Sequence, residues 1–231
     1  MCAFFCAASV LLLRTRLPPN KKAGGSIDLR ALADPRLSVV AMAIVLVEIG
    51  FLIPVNYLVT YATSHKVDGD LAYQLTAIFN AASIFGRIIP GYLADVWGRY
   101  NAMICTSLVC TVLLLALWLK AGTDTPAIVC FAAFFGFWSG TAMSLAPVCV
   151  AQISKTEEYG KRYGTTYSFV GIASLVALPV AGEILKAQNS TAPETDYSGL
   201  IYFAGVAYGL SVVLFVIGRG ISSGWGVKTI F

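Results

Sequence analysis

The sequence predicts an all-α membrane protein, and three observations carry that class. Hydrophobic residues make up 58% of the 231 and charged residues 12%, where a soluble domain carries about 25% charged. A water-facing surface needs more charge than that. The apolar residues also fall in long runs separated by short polar segments, as they do when lipid is the solvent. Finally, Lys and Arg cluster in alternate loops, which is how a chain that crosses a bilayer repeatedly sets its orientation.

A hydrocarbon core of about 30 Å needs roughly 20 helical residues. Met1–Leu13 covers only about 20 Å at 1.5 Å per residue. No basic residue precedes it, while Arg14 and Arg16 follow it, the reverse of a signal peptide. It reads as the last part of a helix whose beginning lies outside the sequence. Residues 14–36 form a linker with Pro18-Pro19, Lys21-Lys22 and Gly24-Gly25, then a short amphipathic stretch Ile27–Leu32 ahead of Asp34-Pro35. Six spans follow within residues 37–218: Leu37–Ala62, Leu71–Leu93, Ala102–Leu119, Ala127–Ile153, Gly164–Leu185 and Gly199–Ile217. Residues 219–231 are expected to form a cytoplasmic tail. With residues 14–36 and the tail placed inside, thirteen Lys and Arg fall at the inner side and only Lys66, Lys120 and Lys186 outside. The sequon Asn189-Ser190-Thr191 then lies outside, as a candidate glycosylation site.

Small residues recur at the spacing that lets helices approach in lipid: Gly136 with Gly140, Gly160 with Gly164, Gly205 with Gly209, and Ala82 with Gly86. Cys2, Cys6, Cys105, Cys110, Cys130 and Cys149 all lie in apolar runs and read as small packing residues. With one histidine, His65, and no CxxC pair, no metal site is expected.

The most informative segment runs from Gly86 to Arg99, GRIIPGYLADVWGR, at the inner end of the second span. Gly91 is suited to close helix approach and Gly98 to turning the chain. Asp95 is placed to pair with Arg99 or to accept from a helix N-terminus. Its Gly86, Arg87, Gly91, Ala94, Asp95, Gly98 and Arg99 match every fixed position of G-[RK]-x-x-x-G-x-x-A-D-x-x-G-R, and the chain resembles the major facilitator superfamily, whose loop signature this is. The resemblance implies the six-helix C-terminal half of that fold, with Met1–Leu13 standing for helix six and the six spans for helices seven to twelve. Leu75–Met103, Tyr159–Gly182 and Arg16-Leu17-Pro18-Pro19 are similar to the monocarboxylate transporter-like branch, above all its fungal members. That branch implies movement of a small organic solute, often a carboxylate, by alternating access. One position departs from it. Proton-coupled members keep an aspartate four residues before the arginine that matches Arg87, and this chain has Ser83 there.

Two side chains stand out as chemistry. Arg87 offers a planar fork suited to a carboxylate; the alternative is a role confined to the loop cluster. Glu48 lies about 17 Å into its span, where a carboxylate is costly unless it faces a cavity, carries a proton or finds a partner on a neighbouring helix. The same span holds Gly50, Pro54 and Asn56, the last within about 80° of Glu48 around the axis. A helix broken near the midplane beside polar groups is the pattern of a solute site. Asn80 and Gln74 are further candidates for the cavity wall, and Glu183 sits nearer a helix end.

An enzyme is not expected. There is no GxSxG or HxxxH, and Tyr92 stands where a Walker loop needs lysine. No cofactor and no nucleic-acid partner are expected; the expected partners are the solute, the lipid bilayer and a second six-helix half, in a multi-pass protein of the plasma membrane. A non-transporting paralogue or assembly partner is the alternative.

Overall fold

The computed structural model describes residues 29–189 and 195–223, together with positions 7, 9 and 10. The expected partial helix at 1–13, the linker up to residue 28, Cys2, Cys6, the Ser190-Thr191 part of the sequon and the tail beyond residue 223 lie outside the described residues. Among the described residues the structure is helical throughout, without strands. A short 3-10 turn, Leu29–Ala33, covers part of the expected amphipathic stretch. Six rods follow: α1 (Pro35–Ser64), α2 (Gly69–Trp97), α3 (Arg99–Ala121), α4 (Thr125–Gln152), α5 (Tyr159–Asn189) and α6 (Ser198–Ser223).

Local chemistry sets the boundaries. Asp34 caps α1 by accepting from the Arg36 backbone N–H at 3.0 Å, with Pro35 in the first turn. Gly98 separates α2 from α3 at φ 92°, ψ 135°, a conformation open to glycine, so its expected role as the turn residue holds. Gly122 closes α3 at φ 49°. Within α3, Leu113–Trp118 is wound as a π-helix.

The rods run up and down, and contacts at the two ends agree with the loop pattern. At the Arg- and Lys-rich end, Arg162 of α5 pairs with Asp34 at 3.1 Å, and the Tyr100 hydroxyl of α3 donates to the Cys149 carbonyl of α4 at 3.2 Å. At the other end, Tyr61 of α1 stacks on His65 and meets Trp118 and Tyr197 edge-on. The most intimate pairs are α2 with α4 and α1 with α6, while α3 lies against α4 and α6. The most apolar stretch of α5 is only 17% buried inside the bundle, against 56% for α4, the lowest and highest shares among α1, α3, α4, α5 and α6.

Among the described residues, five rods meet the length and apolar content needed to cross a membrane, and α2 is not among them. It has the length, at 29 residues, but its exposed side carries Gln74, Asn80 and Arg87. Three further expectations change. First, α1 is not broken. It runs on through Pro54, which is buried, and Gly50 is a packing residue, because a Cβ there would lie 2.5 Å from the Tyr208 ring. A single proline removes one N–H, and tight neighbours let the rod continue past it. Second, Gly160 and Gly91 face open space, so neither provides the close approach expected of it. Third, Cys110 and Cys149 are buried, but Cys105 and Cys130 are exposed on the outer faces of α3 and α4. Position on the helix, and not residue type, decides which cysteines pack.

Candidate functional site

The site is built around the seam between α2 and α4. A Cβ on Gly86 would run into the Phe137 backbone carbonyl, and one on Gly136 into the Phe79 carbonyl. A Cβ on Gly140 would sit 2.6 Å from the Ser83 carbonyl and 2.7 Å from its hydroxyl. The two backbones therefore touch along three turns, as small faces permit in lipid. The Thr141 hydroxyl locks the seam by donating to the Gly86 carbonyl at 2.7 Å. Gly86 thus acts as the helix-contact glycine of its motif.

Ser83 lies in this seam at 7% exposure. The position where related carriers keep an aspartate is here occupied by a small group pressed against glycine backbone. Arg87, one turn further on, is exposed. Its guanidinium makes no ion pair among the described residues, and the loop pair is instead Arg99 with Asp95, at 3.6 Å and largely exposed. Arg87 is therefore separate from the loop pair. Asn80 is exposed on the same rod, within about 20° of Arg87 around the axis and about 10 Å along it. Gln74 is exposed nearer the other end.

Glu48 is half-buried on α1. No hydrogen bond from another helix reaches its carboxylate among the described residues, and it does not pair with Arg87. Its electrostatic neighbours are the Tyr167 phenol of α5 and the Tyr208 phenol of α6. Asn56 is exposed and donates its amide to the Leu52 carbonyl of its own helix at 2.7 Å, which leaves the amide oxygen outward. Glu183 is exposed and sits 3.7 Å from Lys186 at the far end of α5.

Asn189 is engaged in the α5–α6 loop. Its amide donates to the carbonyls of Leu185 at 2.8 Å and Asp196 at 3.2 Å, and its oxygen accepts from the Asp196 N–H at 2.6 Å. The Asp196 carboxylate in turn caps α6, accepting from the Ser198 N–H at 2.8 Å and from Gln188 at 2.7 Å. The Ser198 N–H, with the Ser198 hydroxyl and Gln188 adding, holds this carboxyl below the ordinary aspartate range. A depressed folded-state value means the tether is at full strength above the unfolded value and weakens only as pH falls through the folded one. The loop stays tied through the mildly acidic range.

Two features escaped the sequence reading. One is the clamp at the basic end, where Arg162 bridges Asp34, Glu158 at 3.4 Å and the Ile153 carbonyl at 3.3 Å. Asp34 lies 128 residues from Arg162 in the sequence, and nothing local signals that pairing. The other is a row of phenols on α5. Tyr159, Tyr163 and Tyr167 follow at i, i+4, i+8, with ring centroids 5.6 and 4.4 Å apart. Their spacing was a usable signal.

Comparison with known proteins agrees with this architecture. The family model described as Major Facilitator Superfamily matches residues 37–225. A riboflavin transporter of Saccharomyces cerevisiae is 36% identical over 94% of this chain and 44% of its own length. An MFS transporter of Aspergillus flavus is 35% identical over 96% of the chain and 50% of its own. An MFS-type transporter of Gibberella moniliformis is 34% identical over 94% and 52%. The chain spans about half the length of these curated relatives. Six antiparallel rods, a glycine seam between α2 and α4, an intact Gly86–Arg99 signature and a family match across the whole bundle lead to one placement: this integral membrane chain belongs to the Major Facilitator Superfamily.

Proposed function

We propose that this bundle is the C-terminal-type half of a secondary active transporter that moves a small organic solute by alternating access. The observation that carries the reading is the character of α2. It forms the tightest helix pair in the bundle, yet its open side carries Gln74, Asn80 and Arg87. A rod whose open side faced lipid would not be expected to keep Asn80 and Arg87 there. The reading is that α2 crosses the membrane with this side toward an aqueous path, completed by a second six-helix half in the same or another chain. Arg87 then contacts an anionic group of the solute, a monocarboxylate in the simplest case, and Glu48 exchanges a proton during the cycle. Placement of the Arg- and Lys-rich end in the cytoplasm, in the plasma membrane, completes the proposal. A glycan on Asn189 would require the loop to give up the bonds that hold that amide.

The test is uptake by vesicles holding the chain with a complementary six-helix half. Monocarboxylates and riboflavin are the two solutes to compare, the second suggested by the yeast relative. Arg87→Gln should lower monocarboxylate uptake by about tenfold or more, the scale of one charge-assisted hydrogen bond. Arg87→Lys should fall between, because the point charge survives and the fork does not. Monocarboxylate uptake unchanged in both variants sinks the carboxylate assignment.

A further inference from the structure

Two cavities meet at the basic end of the bundle. One is an apolar groove of about 610 Å³, walled by Ala41, Val45 and Ile49 of α1 and by Phe169, Ala173 and Val176 of α5. Neither Glu48 nor any residue of α2 lines it, so it is separate from the side chains assigned to the solute. The other is a polar pocket of about 280 Å³ lined by Arg30, Ala31, Glu158, Lys161 and Arg162. Ala31 lines the pocket and Leu32, the next residue, lines the groove, so the turn Leu29–Ala33 borders both. The Asp34–Arg162 pair sets the level of the pocket. It lies where α1 begins, just ahead of the apolar run from Leu37, at the height of lipid headgroups. The groove runs inward from Ser38. From Ser38 to Ile49 α1 rises about 17 Å, roughly half of a 30 Å hydrocarbon core, which is the depth of one leaflet.

We infer that the pocket and the groove together bind one anionic phospholipid, its phosphate against Lys161 and Arg30 and an acyl chain between α1 and α5. Charge selects the headgroup. Three cations line the pocket against one carboxylate, and Asp34, which pairs with Arg162, still leaves an excess of one positive charge. Arg162 is held by Asp34 and Glu158, whereas Lys161 makes no ion pair among the described residues. A cation at headgroup level attracts an anionic lipid. Shape selects the chain. Spread over its length, the groove has a mean cross-section of about 36 Å². A helix about 10 Å across needs roughly twice that, so the groove does not hold a whole helix from another chain. An extended hydrocarbon chain fits. Surrounded by lipid, that chain gains close packing in the groove and no hydrophobic energy, so the headgroup decides which lipid stays. The inference needs the chain to span a bilayer and is independent of transport.

The experiment gives the full chain, in neutral detergent, phosphatidylglycerol or phosphatidylcholine with the same acyl chains, and counts bound lipid by native mass spectrometry. Phosphatidylglycerol should be retained better than phosphatidylcholine by about fivefold or more. Lys161→Gln and Arg30→Gln should each weaken its retention by about fivefold, the scale of one charge at the membrane surface. Ala173→Phe fills the groove and should weaken retention of both lipids. Val45→Phe does the same from the opposite wall, and circular dichroism shows which of the two variants keeps its helix content. Inorganic phosphate should not displace phosphatidylglycerol, because it cannot occupy the groove. Equal retention of the two lipids, or parent-level retention in both charge variants, overturns the headgroup assignment. Parent-level retention in a folded groove variant overturns the acyl-chain assignment. Displacement by inorganic phosphate would mean a free-anion pocket in place of a lipid site. A dimer that Ala173→Phe converts to monomer, with lipid retention unchanged, would assign the groove to a second copy of the chain.

Discussion

Gly86→Ala is expected to destabilise the bundle by about 3 kcal/mol, the upper end of the range for overpacking a closed interface. The added methyl meets the Phe137 backbone carbonyl, and no rotamer change can move a backbone atom aside. Relief requires α2 and α4 to separate, which also stretches the Thr141–Gly86 hydrogen bond and opens the contacts at Gly136 and Gly140. Gly91→Ala is the matched control. It lies in the same signature and the same helix, but a Cβ there meets nothing within 4 Å. That variant should stay within about 0.5 kcal/mol of the parent or gain slightly, since alanine favours helix over glycine. Unfolding of detergent-solubilised protein, followed by circular dichroism against denaturant or temperature, measures both. Equal losses in the two variants would mean that the signature glycines act through something other than this seam.

The second large effect is at Glu48. In the chain assembled with a complementary half, Glu48→Gln should abolish the pH dependence of uptake. Glutamine keeps the size and polarity of the side chain but cannot bind or release a proton at any relevant pH. Uptake at the most favourable pH should fall by about tenfold or more, the scale of a lost proton-transfer group. Measuring initial rates across a series of external pH values separates this from a packing defect. A packing defect lowers all rates by one factor and leaves the profile intact. Full activity with an unchanged profile would leave Glu48 as a buried-side residue of α1 without a transport role.

Most of the bundle was legible because bilayer thickness, glycine spacing and loop charge are local quantities. The six spans appear as six rods, each with ends within a few residues of expectation or extended by a turn or two. The Gly136/Gly140 and Ala82/Gly86 pairs led to the right seam. The errors share a cause. Gly160 has the spacing of a packing residue and Gly91 sits in the signature segment, but a Cβ at either meets no neighbour, and neither spacing nor motif tells which side of a helix is covered. Gly50 and Pro54 read as a break because both weaken an isolated helix, yet Tyr208 fills the glycine notch and the rod continues. Tertiary contact overrides propensity there. At the site, Arg87, Asn80 and Asn56 were found exposed, whereas the neighbours of Glu48 were not foreseen. Tyr167 and Tyr208 come from helices more than 100 residues along the chain, and only folding brings them to Glu48.

The contrast between the α2–α4 seam and the sparse packing of α5 has a mechanical consequence. The seam joins two backbones with almost no side chain between them, so the pair behaves as a stiff beam. By contrast, α5 borders an apolar groove of about 610 Å³ against α1, lined by residues such as Met42, Val45, Phe169 and Val176, and its polar ties lie at its two ends, Arg162 with Asp34 at one and Gln188 and Asn189 with Asp196 at the other. Such a rod has a low cost of bowing between its tied ends, while the beam resists bending. Under load the bundle deforms unevenly: α5 flexes along its middle like a bowstring, and the frame formed by α2 and α4 keeps its shape.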